Sequence, residues 1–228
     1  MICIPITARS TEDTISEMSS ASKCADIIEL RIDNIPELQE AERCIEESLK
    51  SKTKPVIVTN RPEREGGKFN GSEQDRLRLL QKAIDLGADY VDVEYDSIKQ
   101  IVRRKNSKVI ISYHNFKETP QNLSKIYDDI CQHKPDIVKI VTYANDITDN
   151  IRIFKLLNTA NIPIISFCMG ELGHISRILT RKFGGVLTFA SLERGKESAP
   201  GQLTVDELSR IYHFKNINKE TKLYGIIG

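Results

Sequence analysis

The stretch "PDIVKIVTY" (residues 135–143) reads as a short buried strand with a lysine at its centre. Isoleucine and valine flank Lys139 on both sides, so an inward-pointing side chain is shut off from water. An unpaired buried ammonium is costly, and losing the proton is the usual relief. Seven further runs share this character: "ICIPI" (2–6), "IIELRI" (27–32), "PVIVTN" (55–60), "YVDVEY" (90–95), "KVIISYH" (108–114), "PIISFCM" (163–169) and "GVLTFA" (185–190). β-Branched enrichment and bounding Gly, Pro or Asn mark them as strands, with the strand around Lys139 covering 136–141.

Helical patterns lie between the strands. "STEDTISEMSSASKCA" opens on a Ser/Thr cap signal, and "SEQDRLRLLQKAIDLG" has Ser72 as N-cap and Gly87 as its stop. "TDNIRIFKLLNTA", "GHISRILTRKFG" and a final "TVDELSRIYHF" follow. Strand–helix alternation requires parallel pairing, and eight such units predict a single (β/α)8 TIM barrel over residues 1–228. An open doubly wound sheet is the alternative, but no glycine-rich phosphate turn follows the first strand.

Composition narrows the class. The 228 residues carry 33 Lys and Arg against 32 Asp and Glu, a formal net charge of +1. This balance gives no concentrated basic surface and so predicts no nucleic-acid or membrane partner. No apolar run nears the ~20 residues needed to cross a bilayer. The five cysteines are scattered without a CxxC pair, which favours reduced thiols over a disulfide or zinc framework. The four histidines show no ligand spacing. A soluble, cytoplasmic protein is expected.

In such a barrel, function gathers at the C-terminal ends of the strands. Glu29 and Arg31 lie two apart and share a face; Asp92 and Glu94 do the same. Arg61 ends the third strand and leads into "RPEREGG", with Glu65 before two glycines. His114 ends the fifth strand, Lys139 sits in the sixth and Met169 ends the seventh. Taken singly these have plain explanations: an outward strand lysine, a satisfied structural histidine, a structural Glu29–Arg31 pair. A closed barrel has no edge and its outer face is covered, which turns Lys139 inward. A neutral amine there can form a Schiff base with a ketone or aldehyde. His114, titrating near working pH, suits the acid/base role beside it.

At these residues the chain resembles type I 3-dehydroquinate dehydratase, a Schiff-base barrel enzyme of the shikimate pathway. The likeness rests on "ELRID" (29–33), "RPEREGG" (61–67), "SYHNF" (112–116), "VKI" (138–140), "GHISR" ending at Arg177, "GGVLTFAS" (184–191) and "SAPGQ" (198–202). It implies that Lys139 forms the imine, that His114 is the general acid/base and that Glu65 orients it. It places Glu29, Arg31 and Arg61 on the substrate's hydroxyl side, Arg177 on its carboxylate, and Ser198 and Gln202 on a lid. Met169 and Phe189 would pack the ring. The implied reaction, 3-dehydroquinate to 3-dehydroshikimate, needs no metal or diffusible cofactor, and the implied assembly is a homodimer. The tail "KLYGIIG" (222–228) looks like the opening strand of a shikimate dehydrogenase, or else is an ordinary apolar end. Two competing functions are a class I aldolase-like lyase on a sugar phosphate and a non-catalytic metabolite-binding barrel. The first would use the glycines of "MGELGHIS" and "FGGV" for phosphate.

Overall fold

A computed structural model describes residues 1–225 of the chain. Most of "KLYGIIG" is thereby included, but its last three residues lie outside the described ones. Eight strands form one sheet: β1 (Ile2–Ile6), β2 (Ile27–Arg31), β3 (Val56–Thr59), β4 (Tyr90–Glu94), β5 (Lys108–His114), β6 (Ile137–Tyr143), β7 (Ile164–Met169) and β8 (Thr188–Phe189). All neighbouring pairs are parallel, in the order β7-β6-β5-β4-β3-β2-β1-β8. The remaining seam is bridged at its base, where Val186 N–H donates to Ile164 O at 2.9 Å. The sheet is thus a nearly closed (β/α)8 barrel.

Helices α1 (Thr11–Ala21), α2 (Leu38–Ser51), α3 (Glu73–Asp85), α4 (Leu123–Cys131), α5 (Asp149–Thr159) and α6 (His174–Leu179) cover the outside. Ser10 caps α1 and Ser72 caps α3, each hydroxyl accepting the backbone N–H three residues on. Past α3 the chain turns at Gly87, whose φ of +82° is open to glycine without strain.

Two sequence expectations change. β4 is not followed by an α-helix: the connection to β5 holds only a 3₁₀ turn at Ile98–Gln100. Ile98 and Ile101 pack on the core there, but the "RRKNS" that follows offers no apolar residue to carry the stripe a further turn. β8 shrinks from the expected 185–190 to Thr188–Phe189, and "TVDELSRIYHF" contains a π-helical turn at Glu207–Ile211.

The core has two compartments. Val58, Val91, Val93, Ile111, Val138 and Ile140 face outward and pack with Ile45, Leu80 and Ile153 of the helices. The barrel interior holds a separate cluster built in layers from alternate strands. Ile27, Ile137 and Leu187, with Tyr90, supply the even-strand layer at the floor, and Cys3, Ile57, Ile110 and Ile165 supply the odd-strand layer. Two residues further along the same even strands stand Glu29, Asp92, Lys139 and Phe189. The site begins at that layer.

Candidate active site

Lys139 is buried, and its surroundings differ from those its own strand suggests. Val138 and Ile140 point to the helices, while Nζ meets the rest of its layer. It donates to Asp92 Oδ2 at 2.7 Å, lies 3.6 Å from Glu29 Oε1 and sits 4.6 Å from the Phe189 ring centroid. The aliphatic enclosure expected from the sequence is therefore corrected to an ionic one. A parallel barrel brings residues from three other strands to the lysine: carboxylates from β2 and β4 and the Phe189 ring from β8. Glu29 is held in turn by the Thr59 hydroxyl at 2.8 Å.

Arg61 spans the carboxylates of β4. Its NH1 donates to Glu94 Oε1 at 2.5 Å and Ser112 Oγ at 2.7 Å, while NH2 lies 2.7 Å from Asp92 Oδ2. Burial alone would raise Asp92, but the Arg61 and Lys139 cations outweigh it and hold this carboxyl far below the usual range. Burial would likewise lower Arg61, and Asp92 and Glu94 together more than reverse that. Arg31 is committed elsewhere: it forks onto Asp33 through bonds of 2.9 and 2.8 Å. The Glu29–Arg31 pair considered from sequence is not the contact Arg31 makes.

His114 Nδ1 and Glu65 Oε2 are 2.8 Å apart. Burial, with Glu94, Asp92 and Asp96 nearby, pushes the Glu65 carboxyl up to about 8 against the opposing pull of Arg61. Burial and the Arg61 and Lys139 cations move His114 well below the ordinary imidazole value. The pair therefore carries one proton near neutrality, with the proton favoured on the carboxyl. Glu65 reaches the imidazole because the chain turns tightly behind it. Gly66 has φ +75°, and a Cβ there would fall 2.2 Å from the Phe116 ring, which stacks beside His114.

On the opposite wall Arg177 is buried without a carboxylate partner among the described residues. Its NH2 donates to Pro200 O at 3.2 Å, the guanidinium lies 4.3 Å from the Phe167 ring centroid, and Nε has no acceptor. Burial lowers this group to about 9. The same Pro200 carbonyl also accepts the Gly170 N–H at 3.1 Å, tying the segment after β8 to the end of β7. Ser198 N–H donates to Gln202 Oε1 at 2.6 Å, which leaves Gln202 Nε2 buried and unpartnered. Two unsatisfied donors thus meet at one end of the site, suited to an incoming acceptor.

Most of these groups line one cavity, whereas Asp92 and Glu94, also singled out from the sequence, do not. Glu29, Arg31, Arg61, Glu65, His114, Lys139, Met169, Arg177, Phe189, Ser198 and Gln202, all singled out from the sequence, contribute to its wall. Phe167, Phe116, Val141, Gly66 and Ala199 complete it and were not singled out. Phe167 lies two residues before Met169 on the same face, so strand period could have found it. The contact of Asp92 with Lys139 was likewise implicit in the equal spacing of Ile137 to Lys139 and Tyr90 to Asp92.

Fold and site together define a parallel (β/α)8 barrel with an ion-paired lysine at the base of its cavity and a lone guanidinium on the wall. The chain belongs to the type I 3-dehydroquinase family, whose model matches residues 2–219. It is 42% identical to the bifunctional 3-dehydroquinate dehydratase/shikimate dehydrogenase of Arabidopsis thaliana, over 100% of this chain but only 39% of that protein. It is 38% identical to the 3-dehydroquinate dehydratase of Methanocaldococcus jannaschii, over 95% of this chain and 100% of the relative. Among solved structures, the Clostridium difficile type I 3-dehydroquinate dehydratase with covalent modified comenic acid superposes with a TM-score of 0.83. That match has 29% identity and covers 95% of this chain and 92% of the other.

Proposed function

We propose that this protein dehydrates 3-dehydroquinate to 3-dehydroshikimate through an imine on Lys139. The carrying observation is a buried lysine and a buried guanidinium without a carboxylate partner opening into one cavity. A ketone whose carboxylate forks onto Arg177 can present its carbonyl to Lys139 within the same cavity. The lysine first passes a proton to the neutral His114 imidazole, its amine attacks the carbonyl carbon, and the imidazolium returns the proton to the departing hydroxyl. Loss of water leaves an iminium. His114, poised by Glu65, then removes a proton from the adjacent carbon, and the C–H electrons move to the iminium nitrogen. The enamine expels the hydroxyl one carbon further on, His114 protonates it, and hydrolysis of the remaining imine frees Lys139. The sum is one substrate giving one enone and one water.

Asp92 and Glu29 lie where they can balance the cation at Lys139 both before and after the imine forms. The lid carbonyl at Pro200 and the Gln202 amide close the carboxylate end and exclude water from the imine. A cytoplasmic homodimer is part of the same proposal and is tested by light scattering on the purified chain.

The decisive assay mixes the protein with 3-dehydroquinate and follows the conjugated enone by ultraviolet absorbance. Borohydride added during turnover should fix a mass adduct to Lys139 by peptide mapping. An active protein with no adduct, or one with the adduct on Lys108, would overturn the mechanism. Strong competition by inorganic phosphate but not by quinate-like acids would favour an aldolase-like reaction instead.

A further inference from the structure

Arg76, on α3, is fully buried although it does not line the cavity. Outward, its Nε and NH2 fork onto Glu73 at 2.9 and 2.6 Å. Inward, NH1 donates to Asn60 O at 3.0 Å and to Glu94 Oε2. Asn60 immediately precedes Arg61 in the chain, and Glu94 is the carboxylate on which the Arg61 guanidinium leans at 2.5 Å. One side chain thus holds both the backbone before Arg61 and the counter-ion beside it. Charges then alternate without a gap from the helix to the lysine: Glu73, Arg76, Glu94, Arg61, Asp92, Lys139.

We propose that Arg76 is a positioning residue for the dehydration, fixing Arg61 at the point where it serves both Asp92 and Glu65. The inference rests on the roles given above to Lys139 and His114. Arg61 NH1 stands 3.9 Å from Glu65 Oε2, and NH2 shares Asp92 Oδ2 with Lys139. Without Arg76, Glu94 is a buried anion with a single counter-ion, and Arg61 turns to fork onto both of its oxygens. That movement withdraws the cation from the His114–Glu65 pair and leaves Asp92 to Lys139 alone. The charged groups facing that pair are Arg61 from the end of β3, Asp92 and Glu94 from β4, Asp96 beyond it, Lys139 from β6 and Arg31 from β2. Arg61 is the cation among them that lies against Glu65, so its retreat makes Glu65 harder to ionise.

The test compares Arg76→Met and Arg76→Lys with the parent, expressing kcat per borohydride-trappable site. Arg76→Met should lower kcat by about 10- to 100-fold, the scale of a small misplacement of reacting groups. KM should stay within about threefold, because Arg76 does not touch the cavity. The acid limb of kcat/KM should move up by about half a pH unit or more. Arg76→Lys keeps the charge but cannot reach Glu73, Asn60 and Glu94 together, so it should recover part of kcat only. A purely structural Arg76 would reduce melting temperature and the number of trappable sites, with kcat per site and the pH profile unmoved. That result, in whichever variants fold, overturns the proposal. If the parent chain itself forms no enone, the proposed function fails instead.

Discussion

Asp92 and Lys139 form a buried ion pair across the barrel, Oδ2 to Nζ at 2.7 Å, with neither side chain more than 7% exposed. The pair is also part of a charge cluster, because Arg61 shares the same carboxylate oxygen. Removing the acid alone takes a carboxylate from two buried cations, leaving Arg61 to Glu94 and Lys139 to Glu29 at 3.6 Å. Asp92→Asn should lower stability by about 3–5 kcal/mol, and Asp92→Asn with Lys139→Met should recover a large part of it. Urea unfolding of the two variants checks this, and a single-variant loss below about 1 kcal/mol would contradict it.

Arg177 presents the reverse case, a buried cation with no carboxylate partner among the described residues. Arg177→Ala should weaken binding of carboxylate substrate by about 1.5–3 kcal/mol, the scale of a charged hydrogen bond. Arg177→Met, which keeps the packing against Phe167, should raise the melting temperature of the ligand-free protein. Calorimetric titration with quinate and a thermal melt read the two effects. Unchanged binding in either variant would count against a carboxylate at this wall.

Imine formation and elimination should separate by mutation. His114→Ala keeps Lys139 and should still give a trappable adduct while turnover falls by about 10²–10⁴. Glu65→Gln should fall between that variant and the parent, since the imidazole stays but loses its proton partner. Near-normal dehydration by His114→Ala would move the base to Glu29 or Glu65, the carboxylates on the cavity wall.

The raised Glu65 also makes stability depend on pH with a definite sign. The carboxyl sits at about 8 in the fold against an ordinary 4.5, so the folded chain keeps a proton that the unfolded chain has released. Its contribution is full below the unfolded value and is lost as pH rises through about 8. Glu65→Gln removes that slope. The variant should gain on the parent steadily from about pH 6.5 to about pH 8, a range in which His114, lowered in the fold, adds little. Denaturant midpoints across that range give the comparison, and a variant that holds level with the parent or loses ground to it as pH rises would refute the assignment.

The eight strands were readable because each is a short β-branched run between turn residues, and the caps at Ser10 and Ser72 act as read. The connection after β4 misled because alternation elsewhere suggested a helix, whereas its apolar face at Ile98 and Ile101 gives way at once to "RRKNS". β8 was read too long because Gly185 is taken up by its turn, donating N–H to Thr180 O at 2.8 Å. Polar side chains at strand ends announced the site: most of those singled out line one cavity, while Asp92 and Glu94 stand behind it as counter-ions to Lys139 and Arg61. What local sequence hid was the company of Lys139. Its neighbours in the chain face the helices, whereas its neighbours in space come from β2, β4 and β8. Phe116 and Phe167 carried no chemical signal and emerged only from position.

The layered interior sets a limit for anyone redesigning this chain. The floor layer and the odd-strand layer above it are hydrocarbon apart from Tyr90 and Cys3, and can be exchanged for other side chains of equal volume. The next layer is both interior filling and reactive centre, so a swap that tightens packing there also erases the lysine or its counter-ion. Thermostabilising substitutions should therefore be sought at the helix–sheet boundary and the barrel floor, while the upper third of the interior is kept as it stands.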